Sequence, residues 1–121
     1  MAATANFILD RGASWPPIVW RFLADYTGSS FDVTIQLADG ELLTLSTEDD
    51  SLGMEVGVGV VVVRDGVQTE GFITTLTWAY TPEQSRLITR ADYEMQHTDA
   101  VGGQAIPVRG TITGIGGLNN D

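Results

Sequence analysis

His97 is the only imidazole in the chain, so any Ser-His-Asp arrangement has to run through it, with Ser85 or Ser46 as nucleophile. The G-x-S-x-G elbow that presents such a serine is missing. Alternation places His97 on the apolar side of its segment, where the expected role is a half-buried, hydrogen-bonded core histidine. Glu48-Asp49-Asp50 offers three successive carboxylates, the hard oxygen donors that Ca²⁺ prefers. The alternating D-x-D-x-D-G spacing of a calcium loop is absent, and a solvated turn is the expected reading. Gly57-Val58-Gly59 and Gly114-Ile115-Gly116-Gly117 lack the Lys-Ser/Thr that completes a phosphate loop. Sixteen Asp and Glu residues make some glycosidase-like carboxylate pair inevitable, so counting such pairs has no diagnostic value. Trp15, Trp20, Trp78, Tyr26 and Tyr80 could together form a sugar-stacking platform. The inward parity of Trp20 and Trp78 assigns those two to a core instead. Trp15, just before Pro16-Pro17, is the aromatic expected to stand exposed as an anchor. No catalytic, cofactor-binding or metal-binding residue is assigned.

The elements that carry these residues repeat with a period of two. In Phe31-Asp32-Val33-Thr34-Ile35-Gln36-Leu37 every second residue is apolar, the mark of a strand with one face on a core. Asp39-Gly40 leads into Leu42 to Thr47. A strict two-residue turn there sets Ile35 opposite Thr44, whereas a three-residue loop with Gly40 as a left-handed bulge puts Leu43 and Leu45 on the Ile35 face. The bulge is expected, because a one-residue slip turns the whole apolar set outward. Val58 to Val63 reads as a strand buried on both faces, followed by a tight turn at Arg64-Asp65-Gly66. Phe72 to Tyr80 reads as a long strand. Ala91 to Thr98 alternates, with Tyr93, Met95 and His97 on one side and Asp92 and Glu94 on the other. Ile106 to Ile112 is the last strand, with Ile106, Val108 and Ile112 inward and Gly110 where another backbone comes close. Phe7 to Leu9 and Pro17 to Leu23 complete the set, the prolines at a strand start or on an edge. Between strands, Thr81 caps a helical turn over 81–88, with Pro82 in its first position and Gln84 closing a capping box. Ala100 to Gln104 reads as a hairpin loop.

Seven or eight short strands in 121 residues imply one all-β domain: an immunoglobulin-like, two-sheet antiparallel sandwich, with a small closed barrel as the alternative. Residues 1–5 and 118–121 are expected to be mobile arms unless a partner orders them. The formal charge of −10 argues against nucleic acid, which needs clustered cations. No apolar run of about 18 residues marks a membrane span. No cysteine is present, which excludes disulfides and thiolate chemistry and fits a reducing compartment. All six basic residues are arginines, a choice that suits fixed bidentate contacts and that a coding bias explains equally well.

The order of features resembles small tailed-bacteriophage virion proteins related to the N-terminal domain of baseplate upper proteins. Phe7-Ile8-Leu9-Asp10-Arg11-Gly12-Ala13-Ser14-Trp15 is similar to their opening strand, R-G pair, small hydroxylated residue and aromatic. Ile18-Val19-Trp20-Arg21-Phe22-Leu23 resembles the next strand. Thr81 to Leu87, Ala91-Asp92-Tyr93-Glu94-Met95 and Arg109-Gly110-Thr111-Ile112-Thr113 follow in the family's order. The resemblance implies an immunoglobulin-like sandwich and a non-enzymatic structural role in a tail, baseplate or neck, within a virion assembled in the host cytoplasm. Its implied partners are other virion proteins, fibres and symmetric copies, with no nucleic acid and no membrane. Trp15, Arg11 and Arg21 are the expected interface residues, and removal of residues 1–5 is expected to weaken assembly without changing the thermal melt. The rival readings are a carbohydrate- or receptor-binding module, discriminated by glycan binding through Trp15, and a capsid decoration protein.

Overall fold

The structure, a computed structural model, describes residues 2–62, 66 and 68–116. Period-two alternation becomes two β-sheets. In the larger, β4 (Ser30–Gln36) lies between β5 (Leu42–Ser46) and β8 (Arg90–Thr98), and β8 pairs on its far side with β9 (Gln104–Ile115). The smaller sheet has β3 (Ile18–Phe22) and β6 (Gly53–Val62) on either side of β7 (Gln68–Trp78). The short helix α1 (Pro82–Arg86) connects β7 to β8 and carries the expected capping box, Thr81 with Gln84.

The inward residues meet between the layers. Phe31, Val33 and Ile35 of β4 are fully buried, as are Leu76, Met95 and Ile112 from three other strands. The hairpin after β4 takes the bulged form. Ile35 faces Leu43 and Val33 faces Leu45, and Gly40 has φ +89°. Trp20, Trp78 and Tyr80 are all core residues.

The amino-terminal residues depart from expectation. Ala3–Thr4 (β1) and Phe7–Asp10 (β2) both add to β9, and both run parallel to it, so the sheet is not purely antiparallel and the strands among the described residues number nine. Residues 3–5 are therefore part of the fold, not a mobile arm. The Ala5 amide donates to the Arg109 carbonyl at 3.0 Å, and the Tyr93 hydroxyl donates to the Ala5 carbonyl at 2.6 Å. Their loss lowers stability as well as any assembly. The expectation of close backbone approach at Gly110 is met there: a Cβ at that position collides with the Ala5 carbonyl. Residues 118–121 lie outside the described residues.

Two further corrections concern strand edges. The Val-rich run is not buried on both faces. Its residues 58–62 belong to the edge strand β6, where Val58 and Val60 are each 64% exposed, and Val63 lies outside the described residues. Arg64 and Asp65, placed in the following turn, lie outside the described residues, while Gly66 has φ +76°. Ile106 is half-buried rather than fully inward. Met95 pairs with Val108 and His97 with Ala105, so Ile106 and Pro107 share the space opposite Gln96, and this bulge rotates Ile106 away from the core.

Candidate functional site

The residues with chemical potential are occupied by structural work. The Ser85 hydroxyl is buried in the helical turn, where it donates to the Pro82 carbonyl and accepts from the Gly12 amide, both at 2.8 Å. The Ser46 hydroxyl accepts from the Glu48 amide at 3.1 Å. Neither serine hydrogen-bonds His97 among the described residues. The His97 ring instead packs between Tyr26 and Phe31, with centroid distances of 4.8 and 4.9 Å. It is half-buried as expected but not fully hydrogen-bonded, since Nε2 has no partner among the described residues. A buried polar atom left unmatched costs stability that an apolar ring of similar shape does not. His97→Phe is therefore expected to stabilise the fold by about 1 kcal/mol, read as a higher urea midpoint with an unchanged slope. A fall in midpoint overturns this account of the ring.

Within the acidic run, the middle carboxylate is held by local hydrogen bonds. Asp49 accepts from the Ser51 hydroxyl and amide, and these bonds hold its carboxyl below the usual aspartate range. Asp25 is lowered in the same way by the Thr27 hydroxyl and amide. No group of three His, Asp or Glu side chains converges among the described residues. On the outer face of the larger sheet, a depression of about 660 Å³ contains Asp92, Glu94 and Arg109. Arg109 pairs with Glu94 across the strands at 3.7 Å, with both side chains more than half exposed. Such a pair is worth at most about 1 kcal/mol and leaves neither charge poised for chemistry.

Most of the aromatic platform is lost to the interior. Trp20, Trp78 and Tyr80 are at most 4% exposed, and Tyr26 is half-buried. Trp15 alone remains outside, at 75% exposure. The turn that presents it is fastened from below, because the Tyr80 hydroxyl donates to the Pro16 carbonyl at 2.6 Å. The two arginines separate. Arg11 is half-buried and its guanidinium donates to the Arg86 carbonyl at 2.8 Å, joining the chain after β2 to the end of α1. Arg21 projects from the outward side of β3 and is exposed. The three expected interface residues do not form one patch with a shared contact.

A different surface stands out. β3 stops pairing at Phe22↔Thr74, but β6 and β7 continue together for six more residue pairs, to Val62↔Gln68. At the rise of a strand, this two-stranded ribbon extends for about 20 Å without a third strand among the described residues. Val58 and Phe72 face each other on it, 64% and 50% exposed, with Val60 beside them. These residues share the inward parity of Met54 and Leu76, so they are core-type side chains carried beyond the core. The sequence signal was the change from Gly53-Met54-Glu55 to a Val-rich run relieved by Gly59, which looks the same whether a strand is covered twice or not at all. No family model, curated protein or solved structure matches the chain.

Proposed function

We propose that the chain is a non-enzymatic structural protein of a tailed-phage virion, an assembly or adaptor piece of the tail, baseplate or neck that joins larger components. The observation that carries this reading is the projecting ribbon. Val58, Val60 and Phe72 expose clustered apolar surface on strands with no third neighbour among the described residues. An isolated two-stranded ribbon is marginal in water, and clustered apolar surface of this kind marks a contact with another protein. The acidic balance supports the same reading, because a surface at −10 keeps unassembled subunits soluble and repels packaged DNA. The order of features from Phe7 to Thr113, through its resemblance to tailed-phage virion proteins, supports the virion context.

The test is mass spectrometry of purified phage particles made from the genome that encodes the chain. Its peptides are expected to co-sediment with intact particles, in a fixed ratio to a major tail protein. Recovery only from the particle-free lysate overturns the proposal. Copies in ratio to the major capsid protein decide for a decoration protein instead.

A further inference from the structure

The geometry points to a head-to-tail contact between copies of this chain, in which the β6 edge of one copy adds to the β3 edge of the next and closes a ring. β3 and β6 are the two edges of the smaller sheet, and each leaves one side of its backbone without a sheet partner among the described residues. Neither strand has a proline within it, one of the usual devices that blunt an edge. Each carries one charge among its residues, Arg21 on β3 and Glu55 on β6.

These two charges are matched in sign and in position. Arg21 pairs with Thr75 on one side of β7, and Glu55 pairs with the same Thr75 on the other. They therefore stand at one level on the outward face, two strand spacings apart. Neither has an ionic partner within its own chain among the described residues. Both strands run antiparallel to β7, hence parallel to each other. A rotation about an axis along the strands preserves that direction, so it brings Glu55 of one copy beside Arg21 of the next without any slip in register.

The inward face is matched by the same operation. Phe22, Thr74 and Val56 share one row, so the incoming Val56 arrives beside Phe22 and the incoming Val58 just beyond it. At that place the sandwich has an open groove of about 400 Å³, with Phe7, Trp20, Phe22, Pro107 and Val108 in its walls. Exposed apolar side chains would cover an open, largely apolar groove. A contact between two different surfaces of one chain either closes into a ring or runs on as a filament. It deepens the assembly reading by naming the partner as a second copy, and its test is made on the purified chain, so that it can fail while particle composition still upholds that reading.

The experiment is native mass spectrometry with light scattering over a concentration series, on the full chain and three variants. The wild type is expected to form one discrete oligomer of more than two copies. Arg21→Glu and Glu55→Arg are each expected to shift the population to monomer, because like charges then face each other across every contact. The double variant Arg21→Glu with Glu55→Arg is expected to recover the oligomer. Circular dichroism melts on all three confirm that these exposed positions leave the fold intact. A wild type that is monomeric throughout overturns the proposal, as does a two-fold dimer, an oligomer indifferent to Arg21→Glu, or a double variant no better than the singles.

Discussion

Trp20→Ala is expected to be among the most damaging single changes in the molecule, at about 3–5 kcal/mol. Trp20 is 4% exposed and its indole meets Phe7 edge-on at 5.3 Å and Tyr93 at 5.7 Å. It thereby binds the smaller sheet, through β3, to β2 and β8 of the larger one. Its Nε1 donates to the Tyr93 hydroxyl at 3.2 Å, and that hydroxyl donates onward to Ala5. Truncation removes a large apolar ring, opens a cavity between the layers and deprives Tyr93 of one of its two hydrogen bonds. Burial already pushes the Tyr93 phenol above its usual range, and the indole N–H is the group that pulls it back down. A domain of this size holds only about 5–15 kcal/mol in all. The melting temperature should fall by roughly 10–20 °C, given a few degrees per kcal/mol at this length. Trp15→Ala provides the contrast: at 75% exposure it should move the melt by less than about 0.5 kcal/mol. Equal effects of the two substitutions refute the assignment of Trp20 to the interface between the sheets.

Much of this architecture was legible because a strand with one wet face writes itself in alternate residues. β4 and β8 are such strands, and their parity correctly sent Phe31, Val33, Ile35, Tyr93 and Met95 inward. The demand to keep Leu43 and Leu45 on the Ile35 side was enough to choose the bulge at Gly40. Capping chemistry is local, so Thr81, Pro82 and Gln84 could be read directly. The amino-terminal strand was illegible for the opposite reason. Ala3 and Thr4 carry no apolar alternation, and what holds them and Ala5 is backbone pairing to β9 plus one distant tyrosine hydroxyl. The ribbon escaped because an apolar run records that side chains are hydrophobic, not that anything covers them. Among the interface candidates, only exposure was readable. Trp15 was foreseen outside, whereas the bond from Arg11 to the Arg86 carbonyl joins residues 75 apart in sequence.

Gly110→Ala is expected to unseat residues 3–5 from the sheet. The added methyl meets the Ala5 carbonyl oxygen, with the Asn6 side chain just behind it at 2.9 Å, and backbone cannot yield as the tip of a flexible side chain can. Withdrawal of the strand breaks the bond from the Ala5 amide to Arg109. It also removes the acceptor of the buried Tyr93 hydroxyl and the Asn6 Oδ1 that accepts from the Thr111 amide at 3.0 Å. Three hydrogen bonds at about 1 kcal/mol each, offset in part by the freedom the segment regains, give a loss of about 2–3 kcal/mol. Ordinary strand propensity favours alanine over glycine, so the sign of the effect separates the two causes. The decisive measurement is a cycle with a chain lacking residues 1–6. That truncation alone should cost about as much as Gly110→Ala, since both remove the same contacts. In the truncated background the substitution should then be neutral or mildly stabilising, a coupling of about 2 kcal/mol between positions more than a hundred residues apart in sequence. If the two losses simply add, Gly110 is needed for some reason other than the passage of Ala5, and the amino-terminal strand contributes nothing to the stability of the larger sheet through it.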